Sequence, residues 1–295
     1  MKKEYILAIS AVVLWGTLSP VSKLLFNNAL PEMELLFLSS VIAAAVLALV
    51  TLFSGNIKYF KEYGFKDTAV MAAFGFLGIF LYTALYNFGI ANLSSQEACI
   101  INYLWPVTTV IFCCMILKER FTVRKFAAAA VSFSGIVVIV SKGDLSSLNL
   151  SNLKGVFACF GAALCYGLFS ALNKKKAYNQ YCAMTVYYTV SAIAAGIILM
   201  VSKEFVPVDS LITGLGIAWI GIFTSALAYL FWCMALVGGN TAKIANIAYF
   251  TPFLTIVFAK IILGEEISLF AFIGLVMIII GVIIQTDFTK YKKVD

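Results

Sequence analysis

The chain has no histidine, and its seven cysteines, at positions 99, 113, 114, 159, 165, 182 and 233, all fall inside apolar runs. Metal-ligand spacings and a Cys/His dyad are therefore absent, and the cysteines read as small packing residues. An enzyme would be left with Ser, Tyr, Cys, Glu97 and a few lysines, none at a base–nucleophile spacing. What does recur is a pattern of aromatic and small polar residues at one-face helical spacing. Trp15, Ser19 and Ser22 follow i, i+4, i+7, and Tyr166, Ser170 and Asn173 repeat that face. Tyr82 and Tyr86 are one turn apart; Ser225, Tyr229 and Trp232 again follow i, i+4, i+7. Asn102 shares a face with Trp105, and Asn246 with Tyr249. Such faces offer non-covalent binding: rings for an apolar or cationic group, amides and hydroxyls for polar ends. No catalytic group and no cofactor are called for.

Three prolines interrupt long apolar runs. Proline lacks an N–H, so Pro20, Pro106 and Pro252 release the carbonyls of Gly16, Asn102 and Ala248. In hydrocarbon those carbonyls need a partner. For Pro20, near a helix end, a packing kink relieved by a neighbouring hydroxyl is the expectation. For Pro106 and Pro252 the expectation is a cavity, where water or a ligand ammonium meets the carbonyl. Glu97 and Lys243 each stand nine residues before one of these prolines, about 13 Å of helix. That is too far for the two to clamp one α-carbon. Glu97 reads as an outer-gate or proton-sensing carboxylate, and Lys243, like Lys23 and Lys260, as a snorkelling anchor.

The elements that must carry these faces are membrane helices. Of the 295 residues, 62% are hydrophobic and only 12% charged, with a mean hydropathy of +1.00. Ten apolar stretches cover roughly 5–25, 32–53, 68–91, 95–117, 122–141, 154–173, 180–202, 210–236, 241–263 and 267–287, each near the ~20 residues that a ~30 Å hydrocarbon layer requires. The first is too long for a signal-peptide core and lacks a clear cleavage site, so it is kept as a helix. With the N-terminus inside, sixteen of the 21 Lys and Arg fall on the cytoplasmic side, which places both termini there. The net charge of +7 is this bias and not a nucleic-acid patch. Interfacial belts explain many membrane Trp and Tyr, but Trp15, Tyr86, Trp105 and Tyr229 lie well inside their spans. Core packing would account for any one of them; six helices each bringing a polar-aromatic face point to a shared, uncharged pocket.

The chain also repeats itself. Asn102-Tyr-Leu-Trp-Pro106 aligns with Ala248-Tyr-Phe-Thr-Pro252, and the register holds through Gly135-Ile-Val-Val-Ile against Gly281-Val-Ile-Ile-Gln. Trp15-Gly16 matches Tyr166-Gly167, and Gly78-Ile-Phe80 recurs as Gly221-Ile-Phe223. Two five-helix units are read, 1–143 and 144–295, joined by a Ser/Asn-rich connector from Ser141 to Leu153. Five is odd, so the second unit must be inverted. The charges agree: the link after span four holds Lys118, Arg120, Arg124 and Lys125, its counterpart Glu265 and Glu266. Inverted repeats of this kind build the two gates of alternating-access carriers.

With these residues laid out, the chain resembles the drug/metabolite transporter superfamily, EamA group, and within it the YddG-type aromatic amino-acid exporters. The resemblance rests on Val13-Leu-Trp15, on Glu97 followed by Asn102-Tyr-Leu-Trp-Pro106, on Asn173-Lys174, and on Gly239-Asn240 leading to Tyr249-Phe-Thr-Pro252. It departs at Lys243 and at Trp15-Gly16. It implies a ten-helix basket, a cavity lined by spans one, three, four, six, eight and nine, and efflux of aromatic or other neutral amino acids across a bacterial inner membrane. Trp15, Tyr82, Tyr86, Trp105, Tyr166, Tyr229, Trp232 and Tyr249 would line it, with Ser19, Asn102, Ser170 and Asn246 supplying polar contacts; Glu97, Pro106 and Pro252 would serve gating or coupling. The partners expected are a small molecule, amino acid or related zwitterion or cation, and the lipid bilayer, with no nucleic acid and a monomer as the state. The alternative is efflux of multiple drugs, quaternary ammonium or other organic cations. Sugar-phosphate carriage would need basic residues deep in the pocket, and a channel would need a continuous pore; neither fits.

Overall fold

The computed structural model describes residues 3–116, 118, 122–141, 150–176, 178–203, 205–238 and 247–285, and among them every regular element is helical. In chain order these are α1 (Lys3–Asn27), α2 (Glu32–Phe53), α3 (Phe65–Asn92), α4 (Ser95–Ile116), α5 (Val123–Ser141), α6 (Leu150–Lys175), α7 (Gln180–Ser202), α8 (from Leu211 to Gly238), α9 (Thr251–Leu263) and α10 (Leu269–Gln285). Seven of them, α1 to α4 and α6 to α8, are long and apolar enough to cross a membrane. The apolar stretches of α5, α9 and α10 are shorter.

Their ends carry local signals. Ser94 caps α4 with its hydroxyl on the Glu97 N–H, and the Glu97 carboxylate returns to the Ser94 N–H, a reciprocal capping box. Asn179 caps α7 through the N–H groups of Tyr181 and Cys182. Gly264, at φ 69°, closes α9 in the left-handed conformation that glycine adopts without strain.

Four of the elements are irregular near mid-length or at their start. Phe76–Leu81 of α3 and Trp219–Leu227 of α8 are π-helical; these two turns hold the matched Gly78-Ile-Phe80 and Gly221-Ile-Phe223. Helix α4 breaks at Tyr103–Leu104 into Ser95–Asn102 and Trp105–Ile116. Pro106 opens the second piece, where its missing N–H costs nothing. Pro252 likewise sits in the first turn of α9, behind a 3-10 turn at Ala248–Phe250. By contrast α1 runs unbroken through Pro20.

The core is apolar, as in a protein in water, but the surface is apolar too. Large apolar side chains such as Ile197, Met200, Val201, Leu211 and Leu215 point outward, while Ser19, Ser22, Ser40, Asn87, Gln96 and Asn102 are buried. A surface of that kind suits lipid, and an interior of that kind must satisfy its own polar groups. Helix α2 lies against α7 and α5 against α10, with Ser40 and Ser191 sharing a 3.0 Å hydrogen bond and the Ser132 hydroxyl donating to the Ile278 carbonyl at 3.4 Å. Helix α1 crosses α9 at Gly16, where a Cβ would lie 2.8 Å from the Leu254 Cβ. Helix α6 crosses α4 at Gly167, where a Cβ would lie 2.1 Å from the Thr108 hydroxyl. Both crossings require glycine because the backbones meet a neighbour where a side chain would begin.

Candidate functional site

The breaks before Pro106 and Pro252 open on one cavity of about 90 Å³, and the π-turns of α3 and α8 end just before its lining residues Tyr82 and Tyr229. It has room for several waters at roughly 10–15 Å³ each. Its aromatic walls come from two groups. On one side Trp15 of α1 packs against Tyr229 and Trp232 of α8, with ring centroids 5.1 and 5.4 Å apart. On the other, Tyr166 of α6 meets Tyr82 of α3 at 5.0 Å and Trp105 of α4 edge-on at 5.3 Å, and Tyr86 stacks on Tyr82 at 5.9 Å. Leu18, Cys99, Asn102, Tyr103, Ala248 and Thr251 complete the lining, and no charged side chain is among the lining residues.

Its polar groups divide into those already paired and those left open. Asn102 donates through Nδ2 to the Tyr82 hydroxyl at 3.1 Å. The Cys99 thiol donates to Thr255 Oγ1 at 3.3 Å, and that hydroxyl donates to the Gly16 carbonyl at 3.1 Å. The carbonyl released by Pro20 is thus met by a neighbouring hydroxyl, as the sequence predicts. The Ala248 carbonyl, released by Pro252, accepts from the Tyr103 hydroxyl; it lines the cavity but already has a donor, where the sequence pointed to water or a ligand. Three other lining residues carry a buried polar atom with no hydrogen-bond partner: Trp15 Nε1, Asn102 Oδ1 and Thr251 Oγ1.

Of the residues expected to bind, Trp15, Tyr82, Tyr86, Asn102, Trp105, Tyr166, Tyr229 and Trp232 are brought together here. Ser19 and Ser170 are not among the lining. Ser19 donates to the Ser95 carbonyl at 2.9 Å and Ser170 to the Tyr166 carbonyl one turn back at 2.7 Å. Asn246 and Lys243 lie outside the described residues, as does the side chain of Tyr249. Tyr103 was missed because it does not share a helical face with Asn102 and Trp105; the break at Tyr103–Leu104 is what turns it inward. Thr251 left one signal, a hydroxyl directly before Pro252.

Glu97 stands away from the cavity, in the first turn of α4. Around it is a polar belt. Lys23 donates to the Ala91 carbonyl at 2.8 Å. Glu265, on the link between α9 and α10, accepts from the Ser95 N–H at 2.9 Å and from Gln96 Nε2 at 3.1 Å. Gln96 Nε2 also reaches the Glu266 carbonyl at 2.8 Å. A carboxylate over the start of a helix is held by the free N–H groups and the helix dipole together. This belt fastens the α9–α10 link to α4 at one end of the bundle.

A second, smaller cavity of about 30 Å³ lies behind Leu18, Tyr82, Tyr86 and Tyr229, which it shares with the first. Three of its lining hydroxyls are already paired: Ser39 donates to the Leu35 carbonyl, Ser40 bonds Ser191, and Thr224 donates to the Ile220 carbonyl.

A lipid-facing helical bundle that encloses an uncharged aromatic cavity, with broken helices at its walls, is a multi-span membrane transporter. The chain belongs to the EamA-like transporter family, which it matches over residues 2–141 and 153–286. Its relatives are named as transporters and not as enzymes, and this protein is not an enzyme. It is 25% identical to the uncharacterized transporter YyaM of Bacillus subtilis over 85% of this chain and 83% of the relative. An uncharacterized transporter of Clostridium kluyveri is 26% identical over 100% of this chain and 96% of its own. A probable terminal-alkyne amino-acid exporter of Streptantibioticus cattleyicolor is 24% identical over 74% and 73%. A crystal structure with a TM-score of 0.67, covering 98% of both chains at 20% identity, shares the fold.

Proposed function

We propose that this protein is a secondary transporter of the bacterial inner membrane that exports amino acids, aromatic or more broadly neutral, by alternating access through the central cavity. The observation that carries the reading is the cavity itself: five helices supply Trp15, Tyr82, Tyr86, Trp105, Tyr166 and Tyr229 around a space with no charged lining. Rings grip a neutral or aromatic side chain, and the amide and hydroxyl edges meet its polar head. The relative from Streptantibioticus cattleyicolor named a probable terminal-alkyne amino-acid exporter agrees with this.

The architecture that goes with it is ten membrane-crossing helices in two inverted five-helix repeats, 1–143 and 144–295, with both termini cytoplasmic. Contacts between matched positions support it. Ser40 and Ser191 lie in the register set by Gly16 and Gly167, and they touch. Ser132 and Ile278 lie in the register set by Gly135 and Gly281, and they touch too. Gly16 meets Leu254 as Gly167 meets Thr108, and Thr108 and Leu254 are themselves equivalent. A two-fold axis between the repeats brings equivalent residues together in this way, and an axis in the membrane plane is what inversion requires.

The aromatic walls also suit an organic cation, so the test uses both. Reconstituted protein is given labelled Phe, Trp and other neutral amino acids in counterflow, with choline and ethidium as competitors. Accumulation that Trp105→Ala abolishes is the expected result. Saturable cation uptake with no amino-acid counterflow would sink the exporter reading in favour of multidrug efflux.

A further inference from the structure

We infer that the cavity recognises its ligand by both polar ends at once, requiring a free ammonium and a free carboxylate, with Asn102 Oδ1 receiving the first and Trp15 Nε1 donating to the second. This rests on the exporter reading and narrows it to zwitterions with an unmodified head group.

The argument starts from the three open atoms. Trp15 Nε1, Asn102 Oδ1 and Thr251 Oγ1 are buried without a partner, and their residues line the same cavity of about 90 Å³. Among the described residues three further atoms of this kind, Ser22 Oγ, Glu34 Oε1 and Ser95 Oγ, belong to residues scattered outside the lining. Three gathered around one small space mark where a ligand completes the bonding. Their chemistry is not interchangeable. An indole N–H only donates, so Trp15 demands an acceptor. An amide oxygen only accepts, so Asn102 demands a donor. The Asn102 amide is held by its own Nδ2–H bond to the Tyr82 hydroxyl, which leaves Oδ1 as the free edge. Asn102 is 6% exposed and Thr251 6% exposed, so bulk water does not supply the missing partners. The Thr251 hydroxyl can serve either end.

A quaternary ammonium carries no N–H and no acceptor, and it would leave all three atoms open. A primary ammonium without a carboxylate would satisfy Asn102 and leave Trp15 bare. An α-amino acid satisfies both, and with no charged side chain in the lining its head enters as a neutral zwitterion. Sites that hydrogen-bond a ligand group discriminate strongly against analogues lacking it, because their own buried groups are then orphaned.

The test is calorimetric titration of the detergent-purified full-length protein. The probe is L-phenylalanine or whichever standard amino acid binds tightest, compared with its methyl ester and its N-acetyl derivative. Each derivative is expected to bind about tenfold or more weakly. Trp15→Phe, which keeps a ring and removes the donor, should erase the difference between acid and ester. Asn102→Leu should erase the difference between free and acetylated amine. Asn102→Asp keeps the acceptor, so it should retain amino-acid binding. Ester and acetyl derivatives within about twofold of the parent overturn the inference while leaving the exporter reading intact. Loss of amino-acid binding in a folded Asn102→Asp protein also overturns it, because the amide nitrogen would then be meeting the carboxylate. Failure of every standard amino acid to bind overturns the exporter reading itself. The ligand series on the wild-type protein decides the matter even where a variant does not fold.

Discussion

Tyr103 shows how one hydroxyl lets a broken helix persist in an apolar interior. It donates to the Ala248 carbonyl that Pro252 has deprived of its helical donor. Tyr103→Phe leaves that carbonyl with the Thr251 N–H as its remaining donor, a cost of about 0.5–1.5 kcal/mol for the lost hydrogen bond. The expected result is a lower melting midpoint in detergent, and an unchanged midpoint would mean that the break at Ala248–Phe250 is held by other contacts. Glu97 calls for a different experiment. Its carboxylate completes the capping box with Ser94, and glutamine also serves at that position. Glu97→Gln therefore keeps the helix start while deleting the titrating group. If Glu97 couples protons, the pH dependence of transport in proteoliposomes flattens and the melting midpoint holds; a profile that survives unchanged removes Glu97 from coupling.

At the scale of elements, the breaks matter more than the helices. A continuous α4 would carry Asn102 and Trp105 on one face and turn Tyr103 away from it. Because the chain breaks at Tyr103–Leu104, all three reach the same cavity. The first piece, Ser95–Asn102, is also the element fastened by Glu265 and Gln96 to the α9–α10 link. Cys99, buried and unoxidised, sits one turn further along that piece and lines the cavity. Glu265→Ala removes the carboxylate from the Ser95 N–H, so this end of the bundle should loosen. The expected reading is a several-fold faster modification of Cys99 by a membrane-impermeant thiol reagent, located by mass spectrometry. An unaltered rate would show that the belt does not close the cavity.

For the molecule as a whole, orientation is the open prediction. The positive-inside bias puts Lys175 in the cytoplasm and Lys203 outside, at opposite ends of α7 and its preceding link; both residues are exposed. In whole cells Lys203→Cys should react with an impermeant maleimide, and Lys175→Cys only after permeabilisation. The reverse pattern would overturn cytoplasmic termini, and with them the direction assigned to export.

Helical class, lipid-facing character and the aromatic composition of the site follow from the sequence alone, because each depends on residue type at a local period. Apolar runs of about 20 residues have few alternatives to a membrane helix. Rings at i, i+4 and i+7 share a face whatever the helix packs against, which is why Trp15, Tyr82, Tyr86, Tyr166, Tyr229 and Trp232 were legible. Only the tertiary structure decided which polar atoms remain free. Ser19 and Ser170 are spaced like binding residues, yet backbone carbonyls take their hydroxyls. Tyr103 and Thr251 are off the helical face, yet the breaks before Pro106 and Pro252 bring them to the cavity. Hydrogen-bond partners belong to whatever lies nearest in space, and across a helix break nearness is set by the neighbouring helices and not by the period of the chain.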